Sequence, residues 1–193
     1  MITIPDSAFT YRLLAGDNGS DTFGASFVEV DLRTGHLHVL MSETCTASKT
    51  TWRHADRLEQ GRAFDARLGV LREFFQYLLE GFDPHGVVVE GPFVHLNVST
   101  YLSLKTVIGA LRDEVYQYNP TLDVVEVAPM SAKKAVKAKQ YIGKDPVRDA
   151  VLALSHVSYA PHIDPHALDE HCIDSIAVAV YQAAWIIRHV FGR

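Results

Sequence analysis

The sequence has few cysteines and no long apolar run, and both absences narrow the class of protein. Cys45 and Cys172 are too few for a disulfide framework and too far apart for a CxxC pair, so we expect two free thiols. No apolar stretch approaches the roughly 20 residues of a membrane span, and the first residues lack the basic and apolar regions of a signal peptide. We therefore expect a soluble, cytoplasmic protein with no membrane partner.

The composition that remains is that of an ordinary globular protein. The chain has 193 residues, of which 48% are hydrophobic and 21% charged, which is enough to bury a core. It contains no internal repeat and no low-complexity segment. We predict a single domain over residues 1–193.

Excess positive charge, the usual sign of a nucleic-acid partner, is also missing from the chain as a whole, whose formal net charge is -5. The basic residues are nevertheless concentrated. Between residues 131 and 148 six of them accompany one acid, so this basic segment carries about +5 and the remainder about -10. The concentration fits a solvated helix face, and it fits equally a surface that follows a phosphate backbone.

The apolar pattern predicts an α/β fold. Three strands open the chain, and helices then alternate with two further strands. The predicted strands are 11–20, 24–32, 36–45, 86–90 and 123–127. The predicted helices are 55–82, 99–118, one that starts at 131, 146–155, and 164–190, the last capped by Asp164-Pro165.

Two of these strands end on an acid. Asp17 precedes the turn sequence Asn18-Gly19-Ser20, and Glu90 ends a run of three valines just before Gly91-Pro92. Ligand sites collect at the carboxyl ends of strands in α/β sheets. Neighbouring strands lie about 4.8 Å apart, so parallel pairing would bring the two carboxylates together on one or two divalent cations.

The last predicted helix supplies a third acid. Residues three or four apart share a helix face, so Asp174 projects on the same side as His171 and Glu170. The helix macrodipole favours acids in the first turn, which accounts for Asp169 and Glu170 more readily than for Asp174. Asp174 is therefore the candidate ligand on this helix, with His171 beside it.

A zinc site is the alternative reading of the same region. His162, His166, His171 and Cys172 have spacings that resemble those of zinc ligands. However, His171 and Cys172 are adjacent and can hardly converge on one ion from a helix. We expect His162 and His166 to be surface or capping residues instead.

In order and context these motifs resemble the RuvC family of Holliday-junction resolvases, in the RNase H-like superfamily, including its phage-type members. GDNGS at 16–20 resembles the first-strand Asp motif, with Asn18 in place of the usual proline. VVVEGPF at 87–93 resembles the motif in which an aromatic residue follows the Glu by three positions. HCIDSIAVA at 171–179 resembles the last helix, with Asp or His three residues before the catalytic Asp. Over residues 11–190 the resemblance implies an RNase H-like five-stranded mixed sheet, with a three-stranded antiparallel start and then parallel strands, flanked by helices.

The resemblance also implies a function and its residues. The enzyme would be a crossover junction endodeoxyribonuclease that cuts opposed strands of a four-way DNA junction with two Mg²⁺ or Mn²⁺ ions. Asp17, Glu90, His171 and Asp174 would be its catalytic and metal-binding residues, and Phe93 would insert at the junction crossover. The residues expected to bind DNA phosphates lie in the basic segment: Lys133, Lys134, Lys137, Lys139, Lys144 and Arg148.

Cutting two opposed strands requires two active sites, so we expect a homodimer. By resemblance, the helix 100–118 is the candidate interface, through Leu104, Ile108, Leu111 and the small pair Gly109-Ala110, unless that face is buried in the monomer. Three alternatives remain. A broader branched-DNA nuclease would cut flaps and forks, a non-catalytic junction-binding protein would be expected to have lost an acid, and an actin-like ATPase or sugar kinase normally needs two such domains.

Overall fold

The computed structural model describes residues 9–92, 97–140 and 145–192, and its centre is a mixed sheet with helices on both faces. The strands are β1 Thr10–Asn18, β2 Thr22–Asp31, β3 Leu37–Thr46, β4 Gly86–Glu90, β5 Val124–Val127 and β6 Val157–Tyr159. The α-helices are α1 Ala55–Glu59, α2 Ala63–Phe82, α3 Val98–Tyr118, α4 Pro129–Ala135, α5 Pro146–Leu152 and α6 Glu170–Phe191. Short 3₁₀ turns span Ala47–Lys49, Thr51–His54 and Ala138–Gln140.

Across the sheet the strand order is β5-β4-β1-β2-β3-β6. Strands β1, β2 and β3 form an antiparallel meander, whereas β4 pairs parallel to β1 and β5 pairs parallel to β4. The predicted α/β fold with a mixed sheet is therefore confirmed. The structure adds β6, which pairs parallel to the start of β3. It is only three residues long, too short to give a periodic signal in the sequence.

Each face of the sheet carries its own core because successive side chains of a strand point to opposite faces. One core lies under α4, α5 and α6 and includes Leu13, Ala15, Val88, Val127, Ile173 and Ile176. The other lies under α2 and α3 and includes Leu14, Phe23, Phe75, Val87, Val89 and Ile108. The valine run of β4 thus contributes to both cores, which is why it shows no polar alternation.

Two predicted helices were wrong in their extent. The helix predicted over 55–82 is interrupted: α1 ends at Glu59, Gly61 adopts a left-handed φ of 72°, and α2 begins at Ala63. The last helix begins at Glu170 rather than at Asp164-Pro165, because the carboxylate of Asp164 accepts a hydrogen bond from the amide of His166 and closes a local turn.

The apolar face of α3 packs inside the monomer. Ile108 and Leu111 are buried in the core beneath α2 and α3, which is the second of the two alternatives for this face. Within the described ranges no helix is both long enough and apolar enough to cross a membrane.

Candidate active site

Asp17 and Glu90 lie side by side at one edge of the sheet. The parallel register of β1 and β4 places Gly16 opposite Val89, and the two acids occupy the next position on each strand. Ala15 and Val88, two residues earlier, belong to the core under α6, so strand alternation directs both carboxylates to that same face. The sheet thus brings together the two strand-end acids.

The start of α6 covers this edge because β2 has a glycine there. Gly24 pairs with Asp17, and a Cβ at Gly24 would overlap the carbonyl oxygen of His171. Any side chain at this position would force the helix away from the sheet. The close approach lets Nδ1 of His171 lie 2.7 Å from Oδ2 of Asp17.

Hydroxyl groups fix the same end of α6 to β2 and β3. Oγ of the buried Ser26 lies 2.6 Å from Oγ of Ser175 and 2.8 Å from Oγ of Ser42. Ser175 also donates to the carbonyl of Cys172, at 2.8 Å. Since every one of these hydroxyls has a partner, this serine relay can hold the helix in a single register without a desolvation penalty.

The N-cap of α6 depends on a long-range contact. The carboxylate of Asp169 accepts from the amide of Cys172 at 2.9 Å, and it also accepts from Oγ1 of Thr44 on β3 at 2.8 Å. The cap is therefore selected by a side chain 125 positions away in the sequence. Together, Thr44 and the serine relay position the turn of α6 that carries His171 and Asp174.

Asp174 lines a cleft of about 440 Å³ beside this edge, which we call the active-site cleft. Its charged lining residues are Lys133, Lys139, Asp145, Glu170 and Asp174. Lys133 comes from α4 and Lys139 from the 3₁₀ turn that follows it. The cleft therefore combines acids of α6 with lysines of the basic segment.

The carboxylates in and beside the cleft repel one another. Burial, followed by the charges of Asp17 and Asp174, raises the pKa of Glu90 to about 7. Burial and then the charge of Asp17 raise the pKa of Asp174 to about 6. Lys133 opposes both shifts. These groups form one coupled cluster in which negative charge exceeds positive charge.

Asp17 and His171, unlike the neighbouring carboxylates, each stabilise the charged form of the other. Burial raises the pKa of Asp17, and the hydrogen bond and charge of His171 offset part of that rise. Burial alone would lower the pKa of His171, but its hydrogen bond to Asp17 and the nearby acids outweigh this effect and raise it. The imidazole therefore holds its proton more firmly than a free histidine does.

This set of donors suits a divalent cation. Crowded carboxylates with raised pKa values gain from a nearby positive charge, and carboxylate oxygens are the hard ligands that Mg²⁺ and Mn²⁺ prefer. In the described part of the chain, no three His, Cys, Asp or Glu side chains are gathered closely enough to hold one ion. Mg²⁺ is commonly held by one or two carboxylates together with water and substrate phosphates, so the residues present still fit a Mg²⁺ ion.

The structure separates the residues predicted to bind DNA. Lys133 and Lys139 line the active-site cleft, whereas Lys134 lies on the opposite side of α4, in a different groove. Lys137 is exposed and has a left-handed φ of 59° just beyond α4. Arg148 pairs with Asp145 and donates to the carbonyl of Leu168 at 2.6 Å, so its guanidinium is engaged within the protein. Phe93 and Lys144 lie outside the described residues.

Several contributors to the cleft were missed by sequence reasoning. Asp145 and Glu170 line it, and both raise the pKa of Asp174. Gly24 and Ser26 interrupt an otherwise apolar stretch of β2, residues 23–28, and that interruption is the signal from which a close helix contact could have been inferred. His162 and His166 are exposed, away from the cluster.

Comparison with known proteins adds a family match. The family model described as crossover junction endodeoxyribonuclease RuvC matches residues 15–182. Two curated proteins of that name, from the Boryong and Ikeda strains of Orientia tsutsugamushi, are each 30% identical over 94 residues, which is 49% of this chain. The match spans only 58% of the length of those relatives.

Solved structures resemble the chain over more of its length. Thermus thermophilus RuvC superposes with a TM-score of 0.64 at 19% identity, covering 94% of this chain and 96% of that one. The yeast mitochondrial Holliday junction resolvase Ydc2 superposes with a TM-score of 0.66 at 13% identity, covering 93% and 81%. At these identities the likeness shows a shared fold.

Proposed function

Because the chain belongs to the RuvC family of crossover junction endodeoxyribonucleases, we propose that it is a metal-dependent endonuclease that resolves four-way DNA junctions by paired hydrolysis on opposed strands. The observation that carries the proposal is the coupling of Asp17, Glu90 and Asp174 at one sheet edge, with Lys133 beside them. The Thermus protein of the same fold has been solved with a Holliday junction substrate, which supports this choice of DNA.

Asp17, Glu90 and Asp174, together with His171, would hold two divalent cations, Mg²⁺ or Mn²⁺. When bound, such ions activate a water on one side of a phosphate and stabilise the leaving 3′ oxygen on the other. At neutral pH Glu90 carries a proton about half of the time in the metal-free protein, since its pKa is about 7. Cation binding therefore has to release that proton and should tighten as the pH rises from 6 to 8.

The basic groups in and beside the cleft would offset the charge of the acids and contact the DNA backbone. Lys133 lies near enough to oppose the pKa shifts of Glu90 and Asp174, and it offsets the repulsion that a phosphate would meet from the acids. Lys139 lines the same cleft and can contact the backbone next to the scissile bond. In the metal-free protein His171 holds its proton while paired with Asp17 and so balances one of the negative charges, and it must release that proton before it can bind a cation.

A homodimer would supply the second active site. The outward stripe of α3 carries Leu102, Gly109 and Tyr116, which are seven residues apart and so lie on one side of the helix. Leu102 and Tyr116 are 57% and 68% exposed, and a Cβ on Gly109 would meet no atom within 4 Å. We place the dimer interface on this stripe rather than on the buried face of α3. Light scattering at micromolar concentration should give a dimer, and a monomer would contradict this assignment.

The test of the proposed function compares substrates. End-labelled DNA in the form of an immobile four-way junction, a flap, a fork and a linear duplex is incubated with the protein and Mg²⁺, Mn²⁺ or EDTA. We expect metal-dependent nicks in the four-way junction and none with Asp174→Asn, which should still bind the junction. Equal cutting of flaps and forks would make the protein a broader branched-DNA nuclease. Tight binding without any cleavage would leave a non-catalytic junction-binding protein.

A further inference from the structure

A second concave surface lies on the other side of α4 from the active-site cleft. It is a groove of about 620 Å³ between α4 and the C-terminal half of α6, bounded at one end by Gly35 and His156, and we call it the α4–α6 groove. Arg188 lines it and follows Asp174 by fourteen positions on the same helix. At the helical rise this separation is about 21 Å, while Val180, at the near end of the groove on α6, is six positions or about 9 Å from Asp174. The two surfaces are distinct because no described residue that lines one lines the other.

The floor of the α4–α6 groove is apolar. Leu37, Val180 and Ala183 are buried residues that line it, and Ile187 lies beside them. Trp185 is 45% exposed at the groove, and its indole stacks on His189 with ring centroids 4.2 Å apart. An open apolar floor next to an exposed indole favours an occupant that has apolar side chains of its own.

The rim of the groove is basic. Lys134, His156 and Arg188 all line it, and none of the described residues that line it is acidic. No ion pair to Lys134 or Arg188 occurs among the residues that the structure describes. Burial, and then the charges of His36 and Lys137, lower the pKa of His156, so the positive charge of the rim comes from Lys134 and Arg188. The groove is therefore locally basic in a chain whose formal net charge is -5.

From these observations we propose that the α4–α6 groove binds an acidic peptide segment of a partner protein. An aliphatic or aromatic side chain of the segment would fill the apolar floor against Trp185, and flanking carboxylates would pair with Lys134 and Arg188. A DNA backbone presents phosphates but no apolar group, so it would leave the floor solvated.

Binding is measured by fluorescence anisotropy with three labelled probe peptides. The first contains Glu-Asp-Leu-Phe-Glu-Asp, the second replaces its acids by Lys, and the third replaces Leu-Phe by Ser-Ser. Two variants remove the groove's features, Trp185→Ala and Arg188→Glu. Trp52→Ala and Arg53→Glu are the matched controls, because Trp52 is 67% exposed elsewhere on the surface and has the guanidinium of Arg53 over its ring.

We expect the first probe to bind, and both altered probes to bind at least about tenfold more weakly, because each lacks one half of the recognition. Trp185→Ala and Arg188→Glu should each weaken the first probe about tenfold at an unchanged unfolding temperature, whereas the Trp52 and Arg53 variants should bind it as the unaltered protein does. Absence of binding, equal binding by the groove variants, or displacement of the peptide by duplex DNA at equal concentration would overturn the proposal.

Discussion

Removing the carboxylate of Glu90 should stabilise the metal-free protein at alkaline pH. Burial and the charges of Asp17 and Asp174 raise the pKa of Glu90 to about 7 from an ordinary value near 4.5. Between these two pH values the folded state binds more protons than the unfolded state, so the free energy of unfolding falls as the pH rises. The destabilisation of the folded state by the ionised Glu90 is therefore complete above the folded-state pKa and absent below the unfolded-state pKa.

The size of the effect follows from the shift in pKa. A pKa raised from 4.5 to about 7 corresponds to an upper limit of about 3 kcal/mol, which solvent access and local relaxation should reduce to about 1.5 kcal/mol. Glu90→Gln keeps the shape of the side chain and removes its charge. We therefore expect the variant to be about 1.5 kcal/mol more stable than the unaltered protein at pH 8 and of equal stability at pH 4.

Urea denaturation in EDTA, repeated from pH 4 to pH 8, measures this difference. The control is Glu29→Gln, which removes a glutamate of β2 that lies opposite Arg12 in the strand register, five residues along β1 from Asp17. Saturating Mg²⁺ should reverse the order of stability, because the unaltered protein can hold the cation and the variant has lost a ligand. A variant that is less stable at pH 8 in EDTA, or a difference that does not change with pH, would refute the electrostatic account of the cluster.

Two further predictions concern the placement of α6, and a third concerns the role of His171 as a ligand. Gly24→Ala puts a methyl group in contact with the backbone of His171, so it should cost about 2 kcal/mol in urea denaturation and abolish junction cleavage. Gly81→Ala, on the exposed side of α2 where an added Cβ meets no atom within 4 Å, should be neutral or stabilise by up to about 1 kcal/mol, and similar effects of the two would contradict the close packing. Ser175→Ala breaks the buried serine relay and should cost about 1–2 kcal/mol of unfolding free energy, and an unchanged urea midpoint would show that the relay does not hold the helix. His171→Asp should retain metal-dependent cleavage because a carboxylate can replace the imidazole as a ligand, while His171→Ala should lose most of it; an inactive Asp variant would mean that the imidazole itself is required.

The sequence predicted the sheet edge well because the signals there are local. The valine run before Glu90 and the turn after Asp17 each lie within a few residues, and strand alternation then determines the face on which both carboxylates lie. The position of Asp174 followed from helical spacing in the same way.

The parts that were not predicted depend on long-range contacts. Asp164-Pro165 has the pattern of an N-cap, but the carboxylate of Asp164 closes a local turn onto His166. The helix is capped by Asp169 instead, and the carboxylate of Asp169 is also held by Thr44, on a strand that is distant in sequence. Likewise, the charges of Lys134 and Arg148 are plain in the sequence, but which side of a short helix they occupy is set by the packing of α4 and α5 against α6. Local patterns therefore gave the acids of the candidate site but not the residues that support them.

The most direct test of the central claim is a strand-resolved cleavage assay on an immobile four-way junction, comparing the unaltered protein with Asp17→Asn. Each of the four strands is labelled in turn, and the reactions contain Mg²⁺ or EDTA. The account predicts paired nicks at symmetric positions in two opposed strands, only with Mg²⁺ and only with Asp17 intact. Nicks that persist in EDTA, or undiminished cleavage by Asp17→Asn, would contradict the assignment of this carboxylate cluster as a metal-dependent nuclease centre.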